Sequence, residues 1–484
     1  MVARVNTTPA LVRSRTNTAI VWLLILFGLA IVLAIFFDQP ALPLLFPIGA
    51  VVACGAVFVR LLGRGQPGIP YFEIGTIYAA VVSLYALYPL IGFVVNGLSY
   101  SIYNDDRLVQ ANPSSFEISR VGWFYVLHLA SFMGVYLLTR RGAVSERPRW
   151  DRPRLRTLSA AVVVFVIITV FFLILDEQFS LTSGSYFESY LAFNQLPVGI
   201  GQIATLLDGV RFTVELIILA AMFFDYKKYR LLIFSWLAFI VILTFTRLGN
   251  RTEMVLLLLS AAILYHTLVR PFSTKAVALA AAGGLAMFLV LGFLREGWLF
   301  GGGGAGYNPF AYSGEFETIF GNAYDLSHRA AVGGLATPET NFYFSDLLII
   351  VPHQFVPFEK VLPADWYVST YYPSYAAKGG GLAFGTIAES MLGIGIPDLI
   401  LRGGALGFIF ATIHRYVTRQ SSFWALIFYV WLDTQVYQSF RNTTFITLYL
   451  FVYKFIWIVI VVKALSSLLS GAENRLRPEP ARAT

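Results

Sequence analysis

Two arginines four residues apart flank a short turn in the second half of the chain. Arg247 and Arg251 enclose Leu248-Gly249-Asn250, and the glycine and asparagine favour a turn with exposed backbone amides. Guanidinium groups bind phosphate oxygens through paired hydrogen bonds, so this spacing suits a diphosphate. A single arginine at the end of a membrane helix usually extends to the lipid headgroups instead. Two arginines around one turn favour the anion site.

Two further arginines are candidates for contact with the same kind of anion. Arg295 precedes Glu296 just before a glycine run, so it can either pair with that carboxylate or bind phosphate. Arg441 ends a stripe with Asp433 and Tyr437, and the spacing of four predicts a common face on one helix. We expect Asp433 to belong to a neutralised network and Arg441 to face an anion.

Glu389 and His353 are the candidate general bases. Glu389 lies in an apolar, glycine-bordered stretch, where partial burial raises the pKa of a carboxyl toward neutrality and suits removal of a hydroxyl proton. The same carboxylate can instead cap a helix or pair with an arginine. His353 lies in a long connection and is a second candidate, as a base or as a group that binds an acceptor. A lone loop histidine is more often neither.

The composition determines the kind of element that must carry these residues. Of 484 residues, 57% are hydrophobic and only 13% are charged, so the lipid bilayer must be the main solvent. The single Cys54 excludes a disulfide scaffold. The net charge is +8, but the lysines and arginines lie between apolar runs rather than along one face. This distribution argues against nucleic acid as a partner. Nucleotide-binding and metal-binding motifs are absent, and we expect no cofactor and no metal.

Apolar stretches along the chain predict an all-α, polytopic membrane protein with about 12 transmembrane helices, formed by residues 1–484 as one domain. The tenth stretch, residues 384–417, is interrupted by glycines and Pro397, which predicts a short half-helix followed by a full span. The twelve stretches begin near Thr18, Leu42, Phe72, Gly122, Leu158, Val198, Leu231, Glu253, Lys275, Phe384, Ser422 and Thr444.

The distribution of lysine and arginine predicts the orientation in the membrane. With both termini in the cytoplasm, 23 of the 35 basic residues fall in cytoplasmic segments, in agreement with the positive-inside rule. The remaining twelve lie within the membrane or on its outer face, where each charge requires a partner or a task. They are Arg107, Arg120, Arg211, Arg247, Arg251, Arg295, Arg329, Lys360, Lys378, Arg402, Arg441 and Lys454.

One long connection, residues 298–383, is predicted to form a large periplasmic loop. Glycine runs border it, and short amphipathic helices are expected around residues 315–333 and 346–351. Its tyrosines can stack on sugar rings or form a belt at the lipid headgroups, and the sequence alone leaves both roles open. The candidate substrate-binding residues in this connection are Arg329, Tyr371, Tyr372 and Lys378.

Residues 243–462 resemble bacterial O-antigen polymerases of the Wzy type, which join oligosaccharide repeat units. The resemblance rests on Arg247 and Arg251 at a helix start, Arg295 near the end of a later span, the long outer connection, and the stretch GLAFGTIAESMLGIG at residues 381–395. Four positions in that stretch depart from the usual family pattern: Thr386, Met391, Gly393 and Ile394. Residues 18–224 match the family only in hydropathy.

The resemblance implies a glycosyltransferase of the bacterial inner membrane with a periplasmic active site. Such an enzyme moves a glycan from a polyprenyl diphosphate carrier onto a lipid-linked repeat unit, for lipopolysaccharide or exopolysaccharide. The arginines would neutralise the diphosphate leaving group, and Glu389 or His353 would take the proton of the acceptor hydroxyl. The expected partners are the lipid-linked donor and acceptor glycans and membrane lipids, with a chain-length regulator as a further candidate.

Other functions stay open from the sequence. An O-antigen ligase would carry out a related transfer with lipid A core as the acceptor. A polyprenyl-phosphosugar transferase is disfavoured, because the first outer loop offers only one acidic residue, Asp38. A flippase or transporter of lipid-linked glycans would perform no catalysis. Internal repeats would favour that function, and none is evident in the sequence.

Overall fold

The computed structural model describes residues 42–63, 71–96, 114–140, 150–181, 192–193, 195–247, 251–299, 315–336, 345–346, 348–351, 355–358, 360–377 and 383–476. Within these ranges all regular elements are helices and no strand occurs, which confirms the predicted all-α class for this part of the chain. In chain order the helices are α1 (Leu42–Leu62), α2 (Ile74–Asn96), α3 (Ser115–Arg140), α4 (Leu155–Phe179), α5 (Val198–Phe224), α6 (Tyr226–Arg247), α7 (Arg251–Leu264), α8 (Thr274–Leu299), α9 (Glu315–Val332), α10 (Pro363–Tyr371), α11 (Pro373–Ala376), α12 (Thr386–Leu392), α13 (Ile396–Val417), α14 (Phe423–Gln435), α15 (Gln438–Arg441), α16 (Ile446–Leu450) and α17 (Trp457–Leu476).

The chain divides into two compact units. Unit 1 holds α1 to α3, α9 to α12, most of α13, and α15, whereas unit 2 holds α4 to α8, α14, α16 and α17. Their boundaries along the chain are Met1–Ser145, Gly304–Arg415 and Val436–Thr444 for unit 1, and Glu146–Gly303, Tyr416–Gln435 and Phe445–Thr484 for unit 2.

Among the described residues, six helical segments are long and apolar enough to cross a membrane, so the chain has the features of an integral membrane protein. Of the other predicted spans, the one near Thr18 lies outside the described residues, and α5, α6, α7, α8 and α14 occupy five more as helices. The full count of twelve crossings stays a prediction. The six segments are Leu42–Leu62, Ile74–Val95, Ser115–Arg140, Leu155–Phe179, Ile396–Val417 and Ile446–Leu469.

The predicted interruption of the tenth stretch is present in the structure. Helix α12 ends at Leu392 and α13 begins at Ile396. Gly395 between them has a φ of +73°, a left-handed conformation that glycine adopts without steric cost. At seven residues α12 is too short to cross a bilayer, so only α13 qualifies as a span here.

The first three helices of unit 1 alternate in direction. Near the starts of α1 and α3, the Ser119 hydroxyl donates to the Pro43 carbonyl at 2.8 Å. Near the ends of the same two helices, the Phe58 ring meets the Tyr136 ring edge-on at 5.8 Å. The Tyr136 hydroxyl also donates to Glu73, just before α2, at 2.7 Å. Helices α1 and α3 therefore run one way and α2 runs back, as successive crossings require.

Glycines allow α13 to pack directly against the backbone of α3. A Cβ added to Gly403 would lie 2.7 Å from the carbonyl oxygen of His128, and one added to Gly407 would lie 2.5 Å from that of Phe132. Both distances are shorter than real Cβ contacts, so any larger residue would push the helices apart. The four-residue spacing of these glycines places them on one helix face, an arrangement common between membrane helices.

The amphipathic helix predicted around residues 315–333 is present as α9, and it belongs to the core of unit 1. Its Phe316 ring contacts Tyr85 of α2 at 4.8 Å, and its Phe320 ring stacks on Tyr125 of α3 at 5.6 Å. Phe316 and Phe320 are 4% and 0% exposed. This part of the long connection is therefore packed against the span helices, at the end where α3 begins.

The second helix predicted in the connection, around residues 346–351, is only partly helical where it is described. Ser345 and Asp346 are helical, and residues 348–350 form turns. The Lys360 ammonium donates to the Leu348 carbonyl at 2.6 Å and also to the carbonyl of Val351. Lys360, a basic residue outside the predicted cytoplasmic segments, thus binds the carbonyl oxygens of these turns.

Unit 2 contains two other basic residues outside the predicted cytoplasmic segments, Arg211 and Lys454. On α5, Arg211 donates to the Glu215 carboxylate at 3.0 Å. The Lys454 side chain passes over Gly209, where an added Cβ would lie 2.5 Å from its Cε. The Thr213 hydroxyl donates to the Lys454 carbonyl at 3.0 Å. These contacts join α5 to the segment between α16 and α17.

Candidate functional site

The position of α12 within unit 1 is fixed by the residues at its start. Gly385 has a φ of +92°, and a Cβ at this position would lie 2.6 Å from Cγ2 of Ile319 on α9, so only glycine fits. Its amide donates to the Asn442 carbonyl at 3.1 Å. The next residue, Thr386, donates through its hydroxyl to the Ser439 carbonyl at 2.6 Å. Helix α12 is therefore held between α9 and α15.

Glu389 is the charged residue that this arrangement buries. Its side chain is 1% exposed, and its Oε2 accepts hydrogen bonds from the amide and the hydroxyl of Thr444 at 3.0 and 2.8 Å. The same oxygen lies 2.9 Å from Nη1 of Arg402 on α13. Of the roles that the sequence left open for Glu389, pairing with an arginine is the one present in this structure.

Arg402 is the centre of a buried cluster of charges. Besides Glu389, its guanidinium contacts Asp346 through Nη1 at 2.9 Å and Asp398 through Nε at 2.8 Å. Arg402 and Asp398 have side chains that are 6% exposed, and Asp346 is 1% exposed. The Arg402 guanidinium lies between the three carboxyls and supplies the positive charge of the cluster. All four residues and Thr444 belong to unit 1.

Three carboxylates and one guanidinium would leave an excess of two negative charges in the interior. Burial raises the pKa of Glu389, which lies outside the spans, above its ordinary value, and Arg402 opposes the shift. Burial likewise raises the pKa of Asp346, and the two carboxyls interact with each other. Oε1 of Glu389 and Oδ1 of Asp346 have no donor among the described residues. One proton held between the two carboxyls would satisfy both oxygens and lower the excess charge.

A second polar cluster lies on α9 and joins three of the predicted substrate-binding residues. Asp325, which is fully buried, accepts from Nε of Arg329 at 3.0 Å and from the hydroxyls of Tyr367 and Tyr372 at 2.7 and 3.0 Å. The Arg329 guanidinium lies over the Tyr371 ring, 4.1 Å from its centroid. Burial, followed by the Asp325 charge, raises the pKa of Tyr372 to about 12, so its hydroxyl stays a neutral donor.

The tyrosines of this cluster come from a helix and a turn that the sequence spacing did not link to Asp325. The Tyr371 hydroxyl accepts from the Ala336 amide at 2.8 Å, which ties α10 to the end of α9. The Tyr367 ring also contacts the Phe384 ring at 5.3 Å, one turn before α12. Asn322 of α9 donates to the Phe384 carbonyl at 3.3 Å. Helix α9 thus connects both clusters within unit 1.

A third group joins α3 to α9 through a histidine and a glutamate. Nδ1 of His328 lies 2.8 Å from Oε1 of Glu117, and the Tyr324 hydroxyl donates to Oε2 at 3.4 Å. The side chains of His328 and Glu117 are 31% and 27% exposed, so the pair is accessible. Arg120, one turn after Glu117, donates to the Ser327 carbonyl at 3.2 Å.

The other predicted site residues fall mostly at the edges of the described ranges. Arg247 ends α6 and Arg251 begins α7, so the two arginines flank a helix junction as predicted. Arg295 lies near the end of α8. The side chains of these three arginines, and His353 and Lys378 as a whole, lie outside the described residues. A common anion site formed by these groups stays a prediction.

The predicted stripe on one helix face is wrong, because the helix is not continuous. Helix α14 ends at Gln435, and Arg441 lies at the end of the separate short helix α15. The Thr434 hydroxyl donates to the Trp431 carbonyl at 2.7 Å, a contact that competes with the helical hydrogen bonds and favours a bend. A spacing of four residues defines one face only on an unbroken helix, so it does not align Asp433 with Arg441.

Several residues of these clusters were not singled out from the sequence, although two carried a signal. Arg402 is one of the basic residues outside the predicted cytoplasmic segments, and a charge in a membrane requires a partner such as Asp346. The sequence Ser114-Ser115-Phe116-Glu117 has the spacing of a capping box, which marks the start of α3. Nothing in the sequence indicated that Asp325 or His328 would meet partners this far along the chain.

Comparison with known proteins adds no relative: no protein-family profile, no curated protein and no solved structure matches the chain.

Proposed function

We propose that the chain is a membrane glycosyltransferase that polymerises polyprenyl-diphosphate-linked oligosaccharide repeat units at the outer face of a bacterial inner membrane. The resemblance of residues 243–462 to Wzy-type polymerases motivates this proposal. The observation that carries it is the cluster of Arg329, Tyr371 and Tyr372, in which the buried Asp325 holds Arg329 and Tyr372 and the Arg329 guanidinium lies over the Tyr371 ring. The predicted orientation, which follows from the distribution of basic residues, would put the end of unit 1 that holds this cluster at the outer face.

The chemistry of the cluster suits a lipid-linked glycan. Nε of Arg329 donates to Asp325, and the Arg329 side chain is 24% exposed, so part of the guanidinium can meet a phosphate oxygen or a sugar hydroxyl. Arg329 covers one face of the Tyr371 ring, so a pyranose ring would stack on the opposite face. Because Asp325 holds Arg329 and Tyr372 in place before any ligand binds, little side-chain freedom is lost on binding.

Neutralisation of the leaving group is the second part of the proposal. When the glycosidic bond to the carrier breaks, negative charge develops on the diphosphate, and fixed guanidinium groups stabilise that charge. We assign this role to Arg247 and Arg251 at the junction of α6 and α7, with Arg295 and Arg441 as further candidates. Lys378 is a candidate contact for the glycan. Glu389 pairs with Arg402 and so holds α12 against α13.

An elongation assay tests the proposal directly. Purified protein in nanodiscs receives a synthetic polyprenyl-diphosphate repeat unit, and the products are resolved by gel and mass spectrometry. We expect glycans of two or more units with release of polyprenyl diphosphate. Correctly folded protein that forms no longer glycan would refute the polymerase. Transfer onto lipid A core, but not onto a second repeat unit, would identify the ligase alternative instead.

Variants of single arginines test the assigned roles. Arg329→Gln, Arg247→Ala and Arg251→Ala should each lower the elongation rate while the protein still inserts in the membrane. The matched control is Arg152→Gln, which removes an exposed arginine paired with Asp225 at 3.4 Å. Control activity should equal that of the wild type. Wild-type product lengths from the Arg247 and Arg251 variants would exclude a diphosphate clamp.

The buried charge cluster favours a second candidate, a transporter of lipid-linked glycans. Ionisable residues within membrane proteins often mark proton or substrate pathways, and Arg402 and Asp398 lie on the span helix α13. Proteoliposomes with a fluorescent lipid-linked glycan separate the two functions. Movement of the lipid between leaflets without elongation would support the transporter, whereas elongation without movement supports the transferase.

A further inference from the structure

Transfer to an acceptor hydroxyl requires a base that the acceptor can reach. Glu389 does not meet this requirement in the structure, because it is 2% exposed and its Oε2 is engaged by Thr444 and Arg402. Its other oxygen faces a carboxyl neighbour in the interior rather than a surface. An accessible base must therefore be another residue, and His353 lies outside the described residues.

The capping box at the start of α3 fixes Glu117 in one orientation. The Ser114 hydroxyl accepts from the Glu117 amide at 3.2 Å, while the amide and hydroxyl of Ser114 donate to Oε2 of Glu117 at 3.2 and 3.1 Å. The second carboxylate oxygen, Oε1, points to His328 at 2.8 Å. The cap thus determines which oxygen meets the histidine.

Glu117 in turn fixes the tautomer of His328. A carboxylate only accepts hydrogen bonds, so Nδ1 of the neutral ring carries the hydrogen and Nε2 carries the lone pair. Within the part of the chain that the structure describes, Nε2 has no hydrogen-bond partner. The Tyr324 ring stacks against the His328 ring at 6.0 Å and limits its rotation. The result is an oriented, partly exposed imidazole with an available lone pair.

His328 also has the right neighbour for the proposed reaction. It directly precedes Arg329, whose guanidinium lies over Tyr371 in the candidate glycan site. Successive helix residues point about 100° apart, so both can border one surface at the end of α9. The charged and titratable groups packed around His328 are Glu117 and Arg120 from α3, and Tyr324, Asp325 and Arg329 from α9.

We propose that His328, oriented by Glu117, is the general base that activates the acceptor hydroxyl; this inference rests on the proposed glycosyl transfer. Nε2 takes the hydroxyl proton as the acceptor oxygen forms a bond to the anomeric carbon of the donor. The bond from that carbon to the diphosphate oxygen breaks, and its electron pair leaves with the polyprenyl diphosphate. The imidazolium, stabilised by Glu117, then releases its proton to water. The arrangement matches the role of a carboxylate-oriented histidine in hydrolases.

Substitution of the histidine separates a base from a structural link. His328→Gln can retain a hydrogen bond to Glu117 but cannot take a proton, so we expect kcat to fall about 10²- to 10⁴-fold with KM nearly unchanged. The matched control is His266→Gln in unit 2, where His266 accepts from the Phe272 amide at 3.1 Å. This control should keep wild-type kinetics. Addition of imidazole to a His328→Gly variant should restore part of the rate, which a purely structural role would not allow.

Glu117→Gln provides a second readout, because glutamine preserves the capping box while it removes the charge. With the amide oxygen kept by the cap, the amide nitrogen would face Nδ1 of His328 as a donor, so Nε2 would carry the hydrogen and kcat should fall with KM nearly unchanged. If the wild type elongates the glycan and His328→Gln has the same kcat, His328 is not the base, and the proposed polymerase is unaffected. No elongation by the wild type would overturn the proposed function itself. An unchanged kcat in Glu117→Gln would remove Glu117 from the mechanism.

Discussion

Replacement of Arg402 by methionine tests how far the buried charge cluster stabilises unit 1. The substitution keeps a long apolar stem and removes the guanidinium that contacts Asp346, Glu389 and Asp398 at 2.8 to 2.9 Å. Removal of one partner from a buried ion pair costs about 3–5 kcal/mol, because the other charge stays uncompensated. Protonation can relieve the carboxyls that lose their partner. We therefore expect one such loss, about 4 kcal/mol, rather than the sum over three contacts.

Thermal unfolding of the purified protein in detergent measures this loss. For units of this size 1 kcal/mol corresponds to about 2–4 °C, so Tm should fall by roughly 8–16 °C at neutral pH. The deficit should shrink at mildly acidic pH, where the orphaned carboxyls become neutral. Arg152→Met is the control. It breaks a pair whose side chains are 72% and 53% exposed, and exposed pairs contribute at most about 1 kcal/mol.

Two results would refute this reasoning about Arg402. A variant with the Tm of the wild type at neutral pH would mean that the carboxyls are neutral or solvated without the guanidinium. A large deficit that is independent of pH would assign the loss to packing around the arginine stem rather than to charge.

Three further predictions concern stability, each followed by thermal unfolding of the purified protein. Burial raises the folded-state pKa of Glu389 above its ordinary value of 4.5. The free energy that its protonated form contributes to folding is therefore complete below pH 4.5 and is lost as pH rises through the folded-state pKa, by at most about 1.4 kcal/mol per pH unit. Glu389→Gln should flatten this dependence of stability on pH. Gly407→Ala should destabilise by about 1–3 kcal/mol through its clash with a backbone carbonyl of α3, whereas Gly134→Ala, with nothing within 4 Å, should be neutral or stabilising. Tyr372→Phe should cost about 0.5–1.5 kcal/mol because Asp325 loses one donor, and an unchanged Tm would argue against that hydrogen bond.

The arrangement of elements was largely accessible from sequence. Apolar length predicts where helices lie, and the break before Ile396 followed from glycines and Pro397 between two apolar runs. The helix at Glu315–Val332 was likewise expected from its amphipathic pattern. Its burial was not, because the pattern shows only that one face is apolar and not how many helices surround it.

The candidate site was predictable in part. The sequence predicts Arg329, Tyr371 and Tyr372 as substrate-binding residues, and the structure brings them together, with Asp325 bonded to Arg329 and Tyr372 and with Arg329 over the Tyr371 ring. Glu389 was selected as a base or an arginine partner, and its partner is Arg402. The stripe ending at Arg441 failed because the spacing rule assumes a continuous helix. Local rules of this kind hold only while the local geometry does.

The sequence by itself determined that the chain enters a membrane, that it is helical, and that charges in an apolar environment need partners. Each of these follows from transfer free energies that depend on residue type and on short stretches of chain. Only the tertiary structure decided which partners meet, as His328 meets Glu117 from a helix about two hundred residues earlier. Such contacts depend on how helices pack, and packing is set by many weak interactions at once, among them the close approach at Gly407, rather than by any single motif.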